Sequence, residues 1–343
     1  MTPDLVVIAE GPIGRIRLNR PSAIHALKID MCVGIIEALK TFETDDAIKS
    51  VVFDHAEGRG FCAGGDIRML AESGAGDGVA ARAFFHTEYQ MNHRLFTYTK
   101  PTIAIMDGIT MGGGVGLALP CRFRVATENT RFAMPETGIG LFPDVGGGWY
   151  LPRLPGQIGK FLALTGARLD GAECLAIGLA THYLMASDVP AALTALSNNT
   201  TDIGSTLKAH GAGAPLARIV KNRTYIDRLF AAISVAEIMT ALANDPSDWA
   251  AKELATMRTK SPLSMAVALR QLREGAAMPN FAAEMAQEYA IGARVVHSHD
   301  FIEGVRALIL DKDNAPRWQV EVDDAQVDAI FEPMPAGQEW TPL

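Results

Sequence analysis

Gly108 to Leu154 reads GITMGGGVGLALPCRFRVATENTRFAMPETGIGLFPDVGGGWYLPRL. Two glycine runs, Gly112-Gly113-Gly114 and Gly146-Gly147-Gly148, flank two acids, Glu136 and Asp144. Lacking a Cβ, glycine lets a ligand or a second backbone come close. The first run follows an apolar segment, Thr102 to Met106, and precedes a helix-like one, Val115 to Leu119. Free N–H groups at a helix start can bind an anion or a developing oxyanion. Acids on a nearby loop suit proton transfer or attack at a carbonyl held there. Each feature alone has a bland reading: a tight turn, a solvated glutamate, an aspartate capping a helix near Gly146. Their combination in one stretch favours a site.

Working outward, Leu5 to Ile8 and Ile13 to Leu18 read as strands around Gly11-Pro12. Asp30 reads as the N-cap of a helix through Phe42, with Met31, Ile35 and Leu39 at helical spacing. Ser50 to Phe53 is a short apolar strand. Glu57 to Asp66, EGRGFCAGGD, reads as a loop whose Asp66 caps the next helix. A further helix spans Val79 to Phe96, and Thr102 to Met106 is a strand. Short strands are expected around Val125 and Phe132. Beyond Gln157 the periodicity is helical, with starts near Asp188-Val189-Pro190, Ser234, Asp245-Pro246, Pro262, Phe281 and Asp300. Strands alternating with helices to about residue 185, then helices alone, imply an α/β core, residues 1–185, with a helical C-terminal part, 186–343.

The 343 residues are 48% hydrophobic and 20% charged, with a net charge of −8, so a general basic surface for nucleic acid or anionic lipid is not expected. Cys32, Cys62, Cys121 and Cys174 are scattered without a C-x-x-C pair, which fits reduced thiols in a cytoplasmic chain. MTPDLVVIAEG does not read as a signal peptide, and no apolar run approaches the ~20 residues of a membrane helix. Neither glycine cluster has G-x-G-x-x-G spacing, so a dinucleotide cofactor is not expected. His297 and His299 diverge on a helix rather than chelate, and no metal site is expected. No G-x-S-x-G elbow is present. Glu88, among Phe84, Phe85 and Tyr89, would have a raised pKa if buried.

GRGFCAGGDIRML at 58–70 and ITMGGGVGLAL at 109–119 resemble the two oxyanion-hole segments of the crotonase (enoyl-CoA hydratase/isomerase) superfamily. RFAMPETGIGLFPDVGGGWYLPRL and DFIEGVRALILDKDNAPRW resemble its 3-hydroxyisobutyryl-CoA hydrolase branch. The likeness runs from Asn19-Arg20-Pro21 to Trp318. It implies a spiral of ββα units and an acyl-CoA thioester held by the amides of Gly65 and Gly113. Glu136 and Asp144 are the acids so implied, with Glu88, Gly64 and Asp66 in substrate contact. Coenzyme A enters as part of the substrate, with no permanently bound cofactor, and a homo-oligomer is implied. The resemblance also exposes two departures. Gly116 stands where hydratases carry a first catalytic glutamate, and His25 replaces the asparagine of N-R-P-x-x-x-N-A-L. The main expectation is hydrolysis of a short 3-hydroxyacyl-CoA in valine catabolism. Its rivals are an enoyl-CoA or dienoyl-CoA isomerase using the same acids and a non-catalytic acyl-CoA-binding protein.

Overall fold

The computed structural model describes residues 2–198 and 202–343. β1 (Leu5–Glu10) and β2 (Ile13–Leu18) form the expected antiparallel hairpin. Then come β3 (Ser50–His55), β4 (Gly60–Cys62), β5 (Thr102–Met106), β6 (Ile109–Met111), β7 (Phe123–Ala126) and β8 (Arg131–Ala133). Two-residue strands follow, β9 (Leu169–Asp170) and β10 (His182–Tyr183). Among the described residues these make two sheets, in the orders β1-β2-β3-β5-β7-β10 and β4-β6-β8-β9. From β3 to β8, each successive strand pair gives its first strand to the larger sheet and its second to the smaller, which is the expected spiral. The pairs β3–β5, β5–β7, β4–β6 and β6–β8 are parallel, as repeated crossovers require.

The larger sheet is covered on both faces, and its strands read as continuous apolar runs for that reason. Val51, Phe53, Ala104 and Met106 face the main apolar cluster. The alternate residues Val52, Ile103, Ile105 and Val125 face a second cluster. The helices Val189–Asn198 and Ile203–Ala209 cover that second face with Leu193, Leu196 and Leu207. The main cluster runs from Leu5 to Trp340, so residues from both 1–185 and 186–343 share it.

Several expectations need correcting. The stretch Glu57 to Asp66, read as a loop, contains β4, which pairs with β6. Asp30 lies in the first turn of the helix Ile29–Thr44, whose N-cap is Lys28. An acid there still complements the helix dipole. Asp245 is not the N-cap of the helix Asp248–Met257. Ser247 caps it, and Asp245 Oδ1 accepts the Ser247 N–H at 3.0 Å. The helix expected to start near Asp300 is His299–Val305, and Ser298 caps it. Ser247 and Ser298 each accept an N–H of the first turn, whereas Lys28 makes no side-chain cap bond.

The loop carrying Glu136 is seated on this C-terminal part. A Cβ on Gly140 would lie 2.6 Å from Phe301 Cα, and one on Gly304 would lie 2.5 Å from the Ile139 carbonyl carbon. Gly304 is inside a helix, where alanine is ordinarily better by about 1 kcal/mol. Overpacking costs about 1–3 kcal/mol and should win here. Gly304→Ala is therefore expected to lose at least ~1 kcal/mol in urea unfolding; a gain in stability would show that the seat is loose.

Candidate active site

Leu27 holds both sides of Gly65. Its N–H donates to the Gly64 carbonyl at 2.7 Å, and its own carbonyl accepts the Asp66 N–H at 3.1 Å. Gly65 between them keeps an N–H that no acceptor among the described residues takes. Gly113 opens the helix Gly113–Ala118, where the first N–H groups have no intrahelical partner. The two segments touch. A Cβ on Gly112 would lie 3.1 Å from Gly64 Cα, and one on Gly113 would lie 3.3 Å from the Gly64 carbonyl carbon. Gly64, with φ +122, is in a backbone region that L side chains rarely adopt.

The acids close on the same point. Gly64, Gly65, Gly113, Glu88, Glu136 and Asp144 all line one cavity of about 70 Å³. The hypothetical Cβ of Gly113 would meet Glu88 Oε1 at 2.6 Å, and that of Gly112 would meet Glu136 Oε1 at 3.6 Å. Glu88 comes from the helix Val79–Phe96, Glu136 from the turn Glu136–Gly138, and Asp144 from the loop beyond it. All three are buried. Glu88 Oε1 and Glu136 Oε2 have no hydrogen-bond partner among the described residues. Burial first, and then repulsion from Asp144, pushes both glutamic acids well above the usual carboxyl range. Burial also raises Asp144, to about 7, against the pull of the Tyr89 hydroxyl, which donates to its Oδ2 at 3.0 Å. A hydrogen bond to the charged form favours ionisation. The cavity thus combines two carboxyls biased to hold protons with one poised near neutrality.

Asp144 sits in a turn gripped from the C-terminal part. Val145 has φ +52, an outlier for a β-branched residue. Glu288 accepts the N–H groups of Gly146 at 2.8 Å and Gly148 at 3.1 Å. Gln271 Nε2 donates to the Pro143 carbonyl at 2.9 Å and to Glu288 at 3.0 Å. The backbone on both sides of Asp144 is therefore held by two buried side chains. Val145 in turn packs against Gly116. A Cβ there would lie 2.7 Å from both Val145 Cβ and Asn92 Nδ2, and Asn92 donates to the Gly116 carbonyl at 3.0 Å. No side chain fits at 116.

The structure does not bring every expected residue to the cavity. Asp66 caps the helix Ile67–Gly74 and pairs with Arg20 at 3.3 Å, outside the cavity lining. His25 also works locally. It has φ +57, Nδ1 accepts the Arg20 N–H at 2.9 Å, and Nε2 lies 2.9 Å from the Glu57 carbonyl. Histidine, like asparagine, is enriched in that left-handed conformation, so it can take asparagine's place in a turn. Sequence reading missed Asn92, Gln271 and Glu288, and took Tyr89 only as an aromatic neighbour. The one available signal was Glu284 and Glu288, four apart on one helix, where exposed like charges would repel.

The enoyl-CoA hydratase/isomerase family profile matches residues 13–331. The chain belongs to this family. The mitochondrial 3-hydroxyisobutyryl-CoA hydrolase of Danio rerio is 43% identical over 318 residues, covering 90% of this chain and 83% of that protein. A probable 3-hydroxyisobutyryl-CoA hydrolase 2 of Arabidopsis thaliana is 38% identical, covering 99% and 94%. Among solved structures, a carnitinyl-CoA dehydratase from Mycobacterium thermoresistibile superposes with a TM-score of 0.93 at 36% identity, covering 99% of both chains. An enoyl-CoA hydratase from Rhodobacter sphaeroides gives 0.91 at 37%, covering 98% of this chain and 99% of that one. The family member is thus similar to proteins named for both hydrolysis and hydration chemistry.

The burial of Asp144 has a thermodynamic consequence. Between its ordinary value of 3.8 and about 7, the folded state holds a proton that the unfolded chain has lost. Stability from this group is therefore lost as pH rises through that window. Asp144→Asn, which keeps an acceptor for Tyr89, should stabilise the protein at pH 8 by roughly 1 kcal/mol or more and give little advantage at pH 4. Denaturant unfolding at the two pH values checks this, and an equal effect at both would contradict it.

Proposed function

We propose that the protein hydrolyses a short 3-hydroxyacyl-CoA thioester, with 3-hydroxyisobutyryl-CoA as the preferred substrate, to the free acid and coenzyme A. The observation that carries this reading is the single cavity in which two unpaired glycine amides and three buried acids meet. The names of the relatives from Danio rerio and Arabidopsis thaliana support the substrate; a place in valine catabolism is proposed with it. Against hydration, the position of the first hydratase glutamate is Gly116, and Asn92 and Val145 fill the space a side chain would need.

In this reading the thioester oxygen lies between the Gly65 and Gly113 amides, which form the oxyanion hole. Such donors are worth about 3–4 kcal/mol each by the cost of deleting one. Glu136, which burial biases toward its protonated form, first passes its proton to Asp144, and then attacks the carbonyl or activates the water that does. The tetrahedral oxyanion collapses, the C–S bond breaks, and the departing sulfur takes a proton from the acid cluster. Direct attack by water releases the acid in that step. Attack by Glu136 leaves an anhydride, which a water then hydrolyses, restoring the carboxyl. Asp144 meets the substrate hydroxyl, and Glu88 shares that recognition. Assembly into a homo-oligomer and a cytoplasmic location remain part of the proposal, to be checked by light scattering and cell fractionation.

A second reading, dehydration of the hydroxyacyl-CoA, is favoured by the names of the two well-superposing structures, a dehydratase and a hydratase; isomerisation, the rival expected from the sequence, shares its outcome. It predicts a product that keeps its thioester. Mass spectrometry separates the two: hydrolysis requires free acid plus coenzyme A, whereas a retained thioester with a new or shifted double bond overturns it.

Glu136→Gln keeps the shape and removes the base or nucleophile. It should lower turnover by at least ~100-fold while largely sparing binding; near-normal turnover would mean that Glu136 has another role. A hydroxyl recognised in a buried pocket discriminates strongly, because its partner is left unpaired by a deoxy analogue. Thiol release from a 3-hydroxyacyl-CoA should therefore outpace release from the deoxy analogue by roughly 10-fold or more. Asp144→Asn should narrow that gap, and an unchanged ratio would remove Asp144 from substrate recognition.

A further inference from the structure

Behind the turn that carries Asp144 lies a second pair of buried acids, Glu284 and Glu288, both at 0% exposure on the helix Phe281–Val295. Their surroundings differ. Glu288 receives three N–H donors, from Gly146 at 2.8 Å, Gly148 at 3.1 Å and Gln271 at 3.0 Å. Glu284 receives none. Both of its carboxyl oxygens lack a hydrogen-bond partner among the described residues, and so does Gln271 Oε1. Two glycines make room for the Glu284 carboxyl. A Cβ on Gly148 would collide with Glu284 Oε1 and lie 2.9 Å from Gln271 Cγ, and one on Gly275 would lie 2.9 Å from Glu284 Oε2.

Buried acceptors without a donor are costly. Arg153, the cation whose field reaches Glu284, does not supply one. Its Nη1 donates to the Trp149 carbonyl at 2.7 Å and to the Gly275 carbonyl at 3.1 Å. A proton is the remaining donor, because an ionised carboxylate only accepts whereas a protonated carboxyl also offers one O–H. The N–H groups decide which acid carries it. Three of them favour the ionised form of Glu288, and having none favours the neutral form of Glu284. Burial raises both carboxyls, Glu284 to about 7, and repulsion between the two adds to it for Glu288. The other groups facing the pair are Asp144 in the turn, Glu274, Tyr150 and Tyr89, and none of these is a cation.

We propose that Glu284 is a positioning residue: it keeps one proton and donates it to the Glu288 carboxylate, which lets Glu288 hold the Asp144 turn from a buried site. Holding the turn does not depend on which reaction the cavity performs; only the effect on turnover rests on the hydrolase reading. Opening the turn hydrates the pair. The proton that the closed turn holds up to about pH 7 is then held only below the ordinary value of 4.5. Opening therefore releases a proton, becomes easier as pH rises through that window, and levels off above it.

Hydrogen exchange of the full-length protein tests this, read by mass spectrometry over residues 143–150 at about pH 5 and about pH 8 and corrected for the chemical exchange rate. In the parent, protection should fall by roughly 10-fold or more between the two, since each unit of pKa shift is a factor of ten. Glu284→Gln keeps a donor that does not titrate, so it should match the parent at the lower pH and lose clearly less protection at the higher. Glu288→Gln, an equally conservative change, offers one acceptor where the Gly146 and Gly148 N–H groups need two. It should lose about 10-fold at both pH values, in line with the loss of a charge-assisted hydrogen bond. Glu284→Leu fills the space without a donor and should be less protected than Glu284→Gln; this comparison decides the matter if Glu288→Gln does not fold. Equal effects of the two glutamine substitutions, a parental pH dependence in Glu284→Gln, or equal protection in Glu284→Gln and Glu284→Leu would overturn the proposal. Thiol release is followed alongside, and kcat should fall in the same order as protection while KM changes less. Protection in the expected order with no thiol release from any of these proteins supports the positioning role and counts against the hydrolase reading alone.

Discussion

Glu88, Glu136 and Asp144 are kept from water inside one cavity of about 70 Å³, and repulsion from Asp144 reaches both glutamic acids. Burial raises the pKa of each, repulsion from Asp144 adds to it for the two glutamic acids, and the group holds protons at pH values where free carboxyls have lost them. The Tyr89 hydroxyl breaks the symmetry by favouring ionisation of Asp144 alone. Environments that push neighbouring acids apart in pKa let one site both donate and accept protons near neutrality. Folding must tolerate this penalty, and much of the surrounding structure holds the acids in place.

That holding comes mostly from the second half of the chain. Glu288 and Gln271 pin the backbone around Asp144, including a left-handed Val145 that would otherwise relax. Gly304 and Phe301 seat the loop between Glu136 and Asp144 from beneath. Strain at a functional site persists only where its surroundings over-determine it. The helical part is therefore more than a cover over the spiral: it sets the geometry of the acids. Through Ser261, whose N–H donates to the Thr137 carbonyl at 3.0 Å, it also holds the Glu136 turn.

Much of this was legible locally. The glycine runs announced close backbone approach, and the structure brings Gly64 and Gly112 into contact. The helix Val79–Phe96 and the strand Thr102–Met106 lie where periodicity puts them, because long amphipathic and short fully apolar runs are the strongest local signals. Caps were harder. Asp245-Pro246 has the right residue types, but Ser247 lies nearer the first N–H groups, and one-residue choices of this kind turn on geometry. Asp66 satisfied both a capping pattern and a binding motif, and the structure shows the cap, its ion pair with Arg20 and a place in the lining of a separate pocket with Lys28 and Phe84.

By itself the sequence determined the alternation of strands and helices, the glycines where two backbones meet, and the absence of a side chain at 116. These are local properties of residue type and spacing. Only the tertiary structure decided which acids share a cavity, that Tyr89 biases Asp144, and that Glu288, some 140 residues away in the chain, holds the turn. Only folding could show why 116 must be glycine, since Asn92 and Val145 reach that space from other elements. The physical reason is common to all of these. Burial, repulsion between carboxyls and steric exclusion depend on distance through space, and sequence spacing does not specify that distance until the chain has closed on itself.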